Sequence, residues 1–174
     1  MSDENNMTIP TIPINEDENI KYIEKPFYKT ISFYVCTFLI LFTIIFNLNF
    51  HITVVSGESM NPTLHDGQFL LAEKHIDNLE RYDIIIANVG KPIIKRIIGL
   101  PGETVEYKDN ILYINGQPTE DKYGSGYTHD FKVELANNEY YCLGDNRENS
   151  MDSRYYGPFT KDESNTIISK ILRR

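Results

Sequence analysis

Two cysteines and a deficit of cations set the first limits on this 174-residue chain. Cys36 lies in an apolar stretch and Cys142 stands alone in the part that follows, so no disulfide framework is available to hold a small fold together. With 17 basic against 25 acidic residues the formal charge is −8, which excludes the broad positive field that collects nucleic acid. The length is too small for two full-sized domains. There is no internal repeat and no low-complexity run. A Gly-x-Ser-x-Gly box is missing, and so is any helical i, i+4 histidine pair or Cys–His pairing of the kind that binds zinc. His65, His75 and His129 are therefore read as surface or satisfied side chains, and no metal is expected. The most informative absence is local: from Thr30 to Gly57, 28 residues contain no Asp, Glu, Lys or Arg.

What fills that gap is an apolar run from Ile31 to Phe46, continuing through Asn47–Phe50 to Val55. A bilayer core about 30 Å thick needs roughly 20 apolar residues in a helix. One transmembrane helix is expected over residues 30–52. Phe33, Tyr34, Phe38, Leu39, Phe42 and Ile45 leave no polar face, which argues against a buried helix of a soluble domain. The long polar segment ahead of the run, and the lack of an Ala-x-Ala after it, argue against a cleaved secretory leader. Lys21, Lys25 and Lys29 precede the span and the next cation is Lys74, so the N-terminus is expected in the cytoplasm and everything after the span outside the plasma membrane.

Residues 1–29 read as a disordered cytoplasmic tail and residues 53–174 as an extracytoplasmic, β-rich domain, giving a mainly β chain with one N-terminal membrane helix. Strands are expected at Gln68–Lys74, Tyr82–Val89, Pro92–Gly99, Thr104–Tyr107, Ile111–Ile114, Glu139–Leu143 and Thr166–Leu172. Asp109-Asn110 and Asn115-Gly116 mark tight turns. Residues 121–130, with Gly124 and Gly126, read as a mobile loop.

Three stretches could carry chemistry. Ser59 stands between a Gly and a Pro in Val54-Val-Ser-Gly-Glu-Ser-Met-Asn-Pro-Thr-Leu64, a composition that favours a sharp bend. Lys95 lies in an isoleucine-rich strand beside Arg96, where burial would push its pKa toward the neutral amine, a form able to act as a general base for a serine hydroxyl. Neighbours on a strand point to opposite faces, so only one of Lys95 and Arg96 is expected to face inward. The other reading makes both edge-strand cations that discourage aggregation. In either case Arg96→Lys is expected to be mild. The third stretch, Leu143–Phe159, packs turn residues and ionic side chains densely. Cys142 is read as an apolar strand position rather than a catalytic thiol.

Taken together and in this order, Ser59–Leu64, Tyr82–Ile86, Lys95–Gly102 (Lys-Arg-Ile-Ile-Gly-Leu-Pro-Gly) and Gly144–Arg154 (Gly-Asp-Asn-Arg-x-Asn-Ser-x-Asp-Ser-Arg) resemble the type I signal peptidases. These are membrane-bound Ser–Lys endopeptidases that remove signal peptides. The resemblance implies Ser59 as nucleophile and Lys95 as general base, with Ser150 orienting Lys95 and Asp145, Asp152 and Arg154 bracing the site. Some members carry an oxyanion-binding serine where this chain has Gly57, a form similar to the compact single-span enzymes of Gram-positive bacteria. Val55, Met60 and Ile94 are expected to form shallow pockets for small substrate side chains. Signal peptides of secretory preproteins and the lipid bilayer are the implied partners, with no nucleic acid and no cofactor. A silent peptide-binding module and a self-cleaving repressor are the alternatives. The first has no need of both Ser59 and Lys95, and the second does not need a span.

Overall fold

The computed structural model describes residues 27–74, 76–161 and 166–172. The expected tail up to residue 26, with Lys21 and Lys25, and the side chain of His75 lie outside the described residues. The chain divides into two compact units, Met1–Ile40 and Leu41–Arg174. The described part of the first belongs to helix α1 (Phe27–Asn49), whose segment Lys29–Asn49 is long and apolar enough to cross a membrane. Thr37 donates its hydroxyl to the Phe33 carbonyl, so this polar group makes no demand on its surroundings.

In the second unit the last turns of α1 show the same economy. The side-chain amides of Asn47 and Asn49 donate to the carbonyls of Thr43 and Ile45, four residues back. The helix stops at Asn49, three residues before the expected end of the span, because Phe50–Val54 forms strand β1. Its backbone groups pair with β2 (Phe69–Glu73) from Phe50↔Glu73 to Val54↔Phe69. Lys74 closes the helix end, its Nζ donating to the Asn47 carbonyl and its N–H to that of Asn49.

The rest of the unit is mainly β: β3 (Ile84–Asn88), β4 (Pro92–Gly99), β5 (Thr104–Lys108), β6 (Ile111–Ile114), β7 (Gln117–Thr119), β8 (Phe131–Glu134), β9 (Tyr141–Leu143) and β10 (Thr166–Ile171), with the short helix α2 (Ser153–Tyr156). Two antiparallel sheets result, one ordered β1-β2-β10-β3-β4-β9 and one ordered β7-β6-β5-β8. The expected strands are all present. Both tight turns are too, because Asp109, Asn110, Asn115 and Gly116 take the positive φ that two-residue hairpin loops require. β1, β7 and β8 are not among the strands named above from the sequence: β1 continues the apolar run without a break in composition, and β7 is three residues with a central Pro118, too short to show a period.

Residues 121–130 depart from the expectation of a mobile loop. Ser125 bridges Asn146, Asp121 pairs with Arg147, Thr128 N–H donates to Asn110 Oδ1 and the Tyr123 ring lies 3.8 Å from the Arg96 guanidinium carbon. The glycines serve close packing rather than motion. The core under the six-stranded sheet includes Val55, Met60, Leu64, Ile84 and Ile86, and Val105, Tyr107, Leu112, Tyr141 and Leu143 join the two sheets.

Candidate active site

Ser59 projects from the connection between β1 and β2. Gly57 turns the chain there with φ of +88°, a conformation that strains any L side chain, and its N–H donates to Asp66 Oδ1 at 2.7 Å. The loop is closed by Val55 N–H to Gln68 carbonyl and Gly67 N–H to Val55 carbonyl, both 2.9 Å, and anchored by Met60, which is buried. Lys95 reaches this loop from β4. It is 3% exposed, and its Nζ lies 2.8 Å from Ser59 Oγ and 2.8 Å from the Ile94 carbonyl. Burial lowers its pKa to about 8, against a weaker upward pull from Asp152 and Asp145.

The segment after β9 forms the floor. A methyl group added at Gly144 would lie 2.5 Å from the Ser59 carbonyl oxygen, so only glycine admits this approach. Gly144 N–H donates to Asp152 Oδ2 at 3.0 Å, and Asn146 N–H donates to the Ser59 carbonyl at 3.0 Å. Arg154 donates to both carboxylate oxygens of Asp152, each at 2.8 Å. Ser150 Oγ is buried against Gly144 and makes no hydrogen bond, so among the described residues the two partners holding Lys95 Nζ are Ser59 and Ile94.

Lys95 and Arg96 do point apart, but both are buried, because both faces of β4 are covered. Arg96 is 0% exposed and grips Asp145 with two hydrogen bonds of 2.7 and 2.6 Å, while also donating to the Tyr82 carbonyl at 2.9 Å. Whatever its effect on activity, Arg96→Lys loses this fork, since an ammonium cannot reproduce it. We expect Arg96→Lys to destabilise the fold by about 1–3 kcal/mol, seen as a lower melting temperature of the detergent-purified protein. A melting temperature equal to wild type would show that the fork contributes nothing beyond a point charge.

A cleft of about 320 Å³ runs from Ser59 and Lys95 between two strand edges, residues 53–56 on one side and Lys91–Ile94 on the other. β1 is an edge strand, and β9 pairs with β4 only from Arg96 onward, which leaves the first half of β4 open on that side. Val55, Met60 and Ile94 all line the cleft. Met151 and Tyr156 also line it, and Arg147 is buried just beneath the floor at Gly144. None of these was singled out from sequence. Arg147 alone carried a signal, as a charged residue fixed inside the Gly144–Arg154 box. Cys142 sits fully buried on β9, where burial pushes its thiol pKa up, so it is no thiolate.

The family model described as signal peptidase, peptidase S26, matches residues 27–171. A signal peptidase I of Bacillus amyloliquefaciens is 40% identical over 142 residues, covering 72% of this chain and 77% of that protein. Signal peptidase I S of Bacillus subtilis is 41% identical over 144 residues, covering 72% and 78%. A crystal structure of a signal peptidase I from Enterococcus faecalis, 34% identical, aligns over 57% of this chain and 100% of its own with a TM-score of 0.49. With the family model spanning the apolar helix, the Ser59 loop, β4 and the Gly144–Arg154 segment alike, this chain belongs to the signal peptidase family, peptidase S26.

Proposed function

We propose that the protein is a membrane-anchored endopeptidase that cleaves signal peptides from exported preproteins after a small residue, with Ser59 as nucleophile and neutral Lys95 as general base. The observation that carries this reading is a nearly unexposed lysine 2.8 Å from a serine hydroxyl at the head of a peptide-sized cleft. The neutral amine of Lys95 takes the Ser59 hydroxyl proton as Oγ attacks the scissile carbonyl. Ser59 N–H, which makes no hydrogen bond among the described residues, is available to the oxyanion. The Lys95 ammonium then protonates the departing amine. In the second half Lys95 takes a proton from water as the water attacks the Ser59 ester, then returns that proton to Ser59 Oγ as the acyl–oxygen bond breaks, which frees the signal peptide's carboxylate and restores the neutral amine.

The open edges of β1 and β4 suit an extended substrate that adds as a strand, and Val55, Met60 and Ile94 favour alanine-sized side chains. An anchor in α1 holds enzyme and substrate helix in one layer, which raises their effective concentration. Mass spectrometry of a purified preprotein incubated with the detergent-solubilised full chain is expected to yield one cut after a small residue. An intact preprotein would refute the reading. The proposed orientation, N-terminus cytoplasmic and β domain outside, predicts that protease added to intact protoplasts digests the region after Phe50. Protection of that region would place the site on the wrong face for this task.

A further inference from the structure

A second buried ionic cluster lies behind the Gly144–Asn146 segment that contacts the Ser59 carbonyl, and the chemistry above makes no use of it. Arg147 is 2% exposed and each of its three guanidinium nitrogens makes at least one hydrogen bond. Nε donates to the Gly144 carbonyl at 3.0 Å and Nη2 to Asp121 Oδ1 at 2.8 Å, while Nη1 donates to both Tyr107 Oη and Asp121 Oδ2. Tyr107 Oη in turn donates to Asp121 Oδ2 at 2.5 Å. Tyr107 belongs to β5 of the four-stranded sheet, and Asp121 follows the last strand of that sheet's β5–β7 meander. Gly124 closes the cluster: a methyl group there would lie 2.7 Å from the guanidinium carbon, so the loop can descend onto Arg147 only as glycine. Backbone bonds run alongside, from Ser125 N–H to the Asp145 carbonyl at 2.7 Å and from Arg147 N–H to the Ser125 carbonyl at 2.8 Å.

All these bonds converge on the short segment that touches the nucleophile. Gly144 is held by its carbonyl to Arg147 and by its N–H to Asp152, its Cα abuts the Ser59 carbonyl, and Asn146 donates to that same carbonyl. Asn146 Nδ2 also reaches the Glu58 carbonyl at 3.3 Å. A displacement of Gly144 therefore displaces the peptide that carries Ser59 Oγ. A buried hydrogen-bonded network of this kind holds one geometry, because each bond lost leaves an unpaired polar group in a low-dielectric site.

We propose that Arg147, Asp121 and Tyr107 are positioning residues, which fix Gly144 and through it the Ser59 peptide, so that the four-stranded sheet sets the Ser59–Lys95 distance. The effect on turnover rests on the proposed role of Ser59 as nucleophile, whereas the geometric coupling does not. The second readout is the titration of Lys95, which is faced by Ser59 Oγ from its loop, Asp145 and Cys142 from β9 and the segment after it, and Asp152 and Arg154 at α2. A Ser59 loop that has lost its seat admits water to Lys95 and moves its titration to higher pH.

The test uses the full chain in detergent, carrying Tyr107→Phe, Asp121→Asn or Arg147→Lys. Glu106→Gln is the control, removing a partly exposed ion pair with Lys132 from the residue next to Tyr107. Preprotein cleavage and NMR titration of labelled lysine are both read. Tyr107→Phe keeps the ring and removes one hydroxyl, so it decides the matter even if Arg147→Lys fails to fold. We expect it to lower kcat about tenfold with KM within about twofold of wild type and to move the Lys95 midpoint upward, with Glu106→Gln unchanged in both. A lower melting temperature with wild-type kcat and an unmoved Lys95 midpoint would mean a structural role only and overturn the proposal. Should the wild type cleave no preprotein, the catalytic reading fails, and the Lys95 midpoint in Tyr107→Phe alone decides the coupling.

Discussion

Ser59→Ala is expected to reduce preprotein cleavage on the order of 10⁴- to 10⁶-fold while leaving the fold in place, because it deletes the attacking atom and little else. The hydroxyl accepts one hydrogen bond, from Lys95 Nζ, and Nζ keeps the Ile94 carbonyl when it is gone. The carbonyl of residue 59 still receives Asn146 N–H, and Met60 still anchors the loop. The loss of stability is therefore at most about 1 kcal/mol, within reach of a thermal melt in detergent. Release of mature protein by Ser59→Ala at more than a trace rate would end the nucleophile assignment. The same result would favour the rival reading of a silent peptide-binding module, for which the hydroxyl is dispensable.

Lys95 carries the second large effect. A pKa lowered to about 8 leaves a minority of the amine neutral at pH 7. Cleavage should rise about tenfold per pH unit below that value and level off above it, because only the neutral amine can take the Ser59 proton. Lys95→Arg retains the charge but cannot lose its proton, and Lys95→Met fits the buried slot with neither. Both should cost on the order of 10²- to 10⁴-fold in kcat and lose the acid limb centred near 8. Near-normal turnover in either variant, or an unchanged acid limb, would make Lys95 the edge-strand cation of the other reading. Stability follows the same group. The folded value lies below the ordinary 10.5, so the folded state binds fewer protons than the unfolded state between about 8 and 10.5, and stability rises with pH across that window.

Much of the fold was legible because its signals are local. The charge-free run announced α1, the isoleucine-rich segments announced β3 and β4, and Asp109-Asn110 and Asn115-Gly116 announced their hairpins. The illegible parts depend on partners distant in the chain. β1 continues the apolar run without a change of composition, and only its ladder with β2 stops the helix at Asn49. Nor does any local pattern show that β10, the last strand, inserts between β2 and β3. Residues 121–130 carry two glycines and read as mobile, yet Gly124 is small because Arg147 and Asp121 lie against it.

The candidate site divides along the same line. By itself the sequence determined that a serine follows a bend after an apolar span, that a lysine lies in an apolar strand, and that an ionic box follows β9. These are facts of residue type and spacing. Tertiary structure decided which of them meet. Lys95 reaches Ser59 across 36 positions of chain because β4 runs past the β1–β2 loop. Arg96, one residue on, faces the other way and is buried against Asp145, so the strand alternation predicted the divergence but not that both sides would be covered. Burial on both faces separates a poised amine from an edge cation. It is a property of the neighbouring sheet and loops, and no pattern within Pro92–Gly99 can express it.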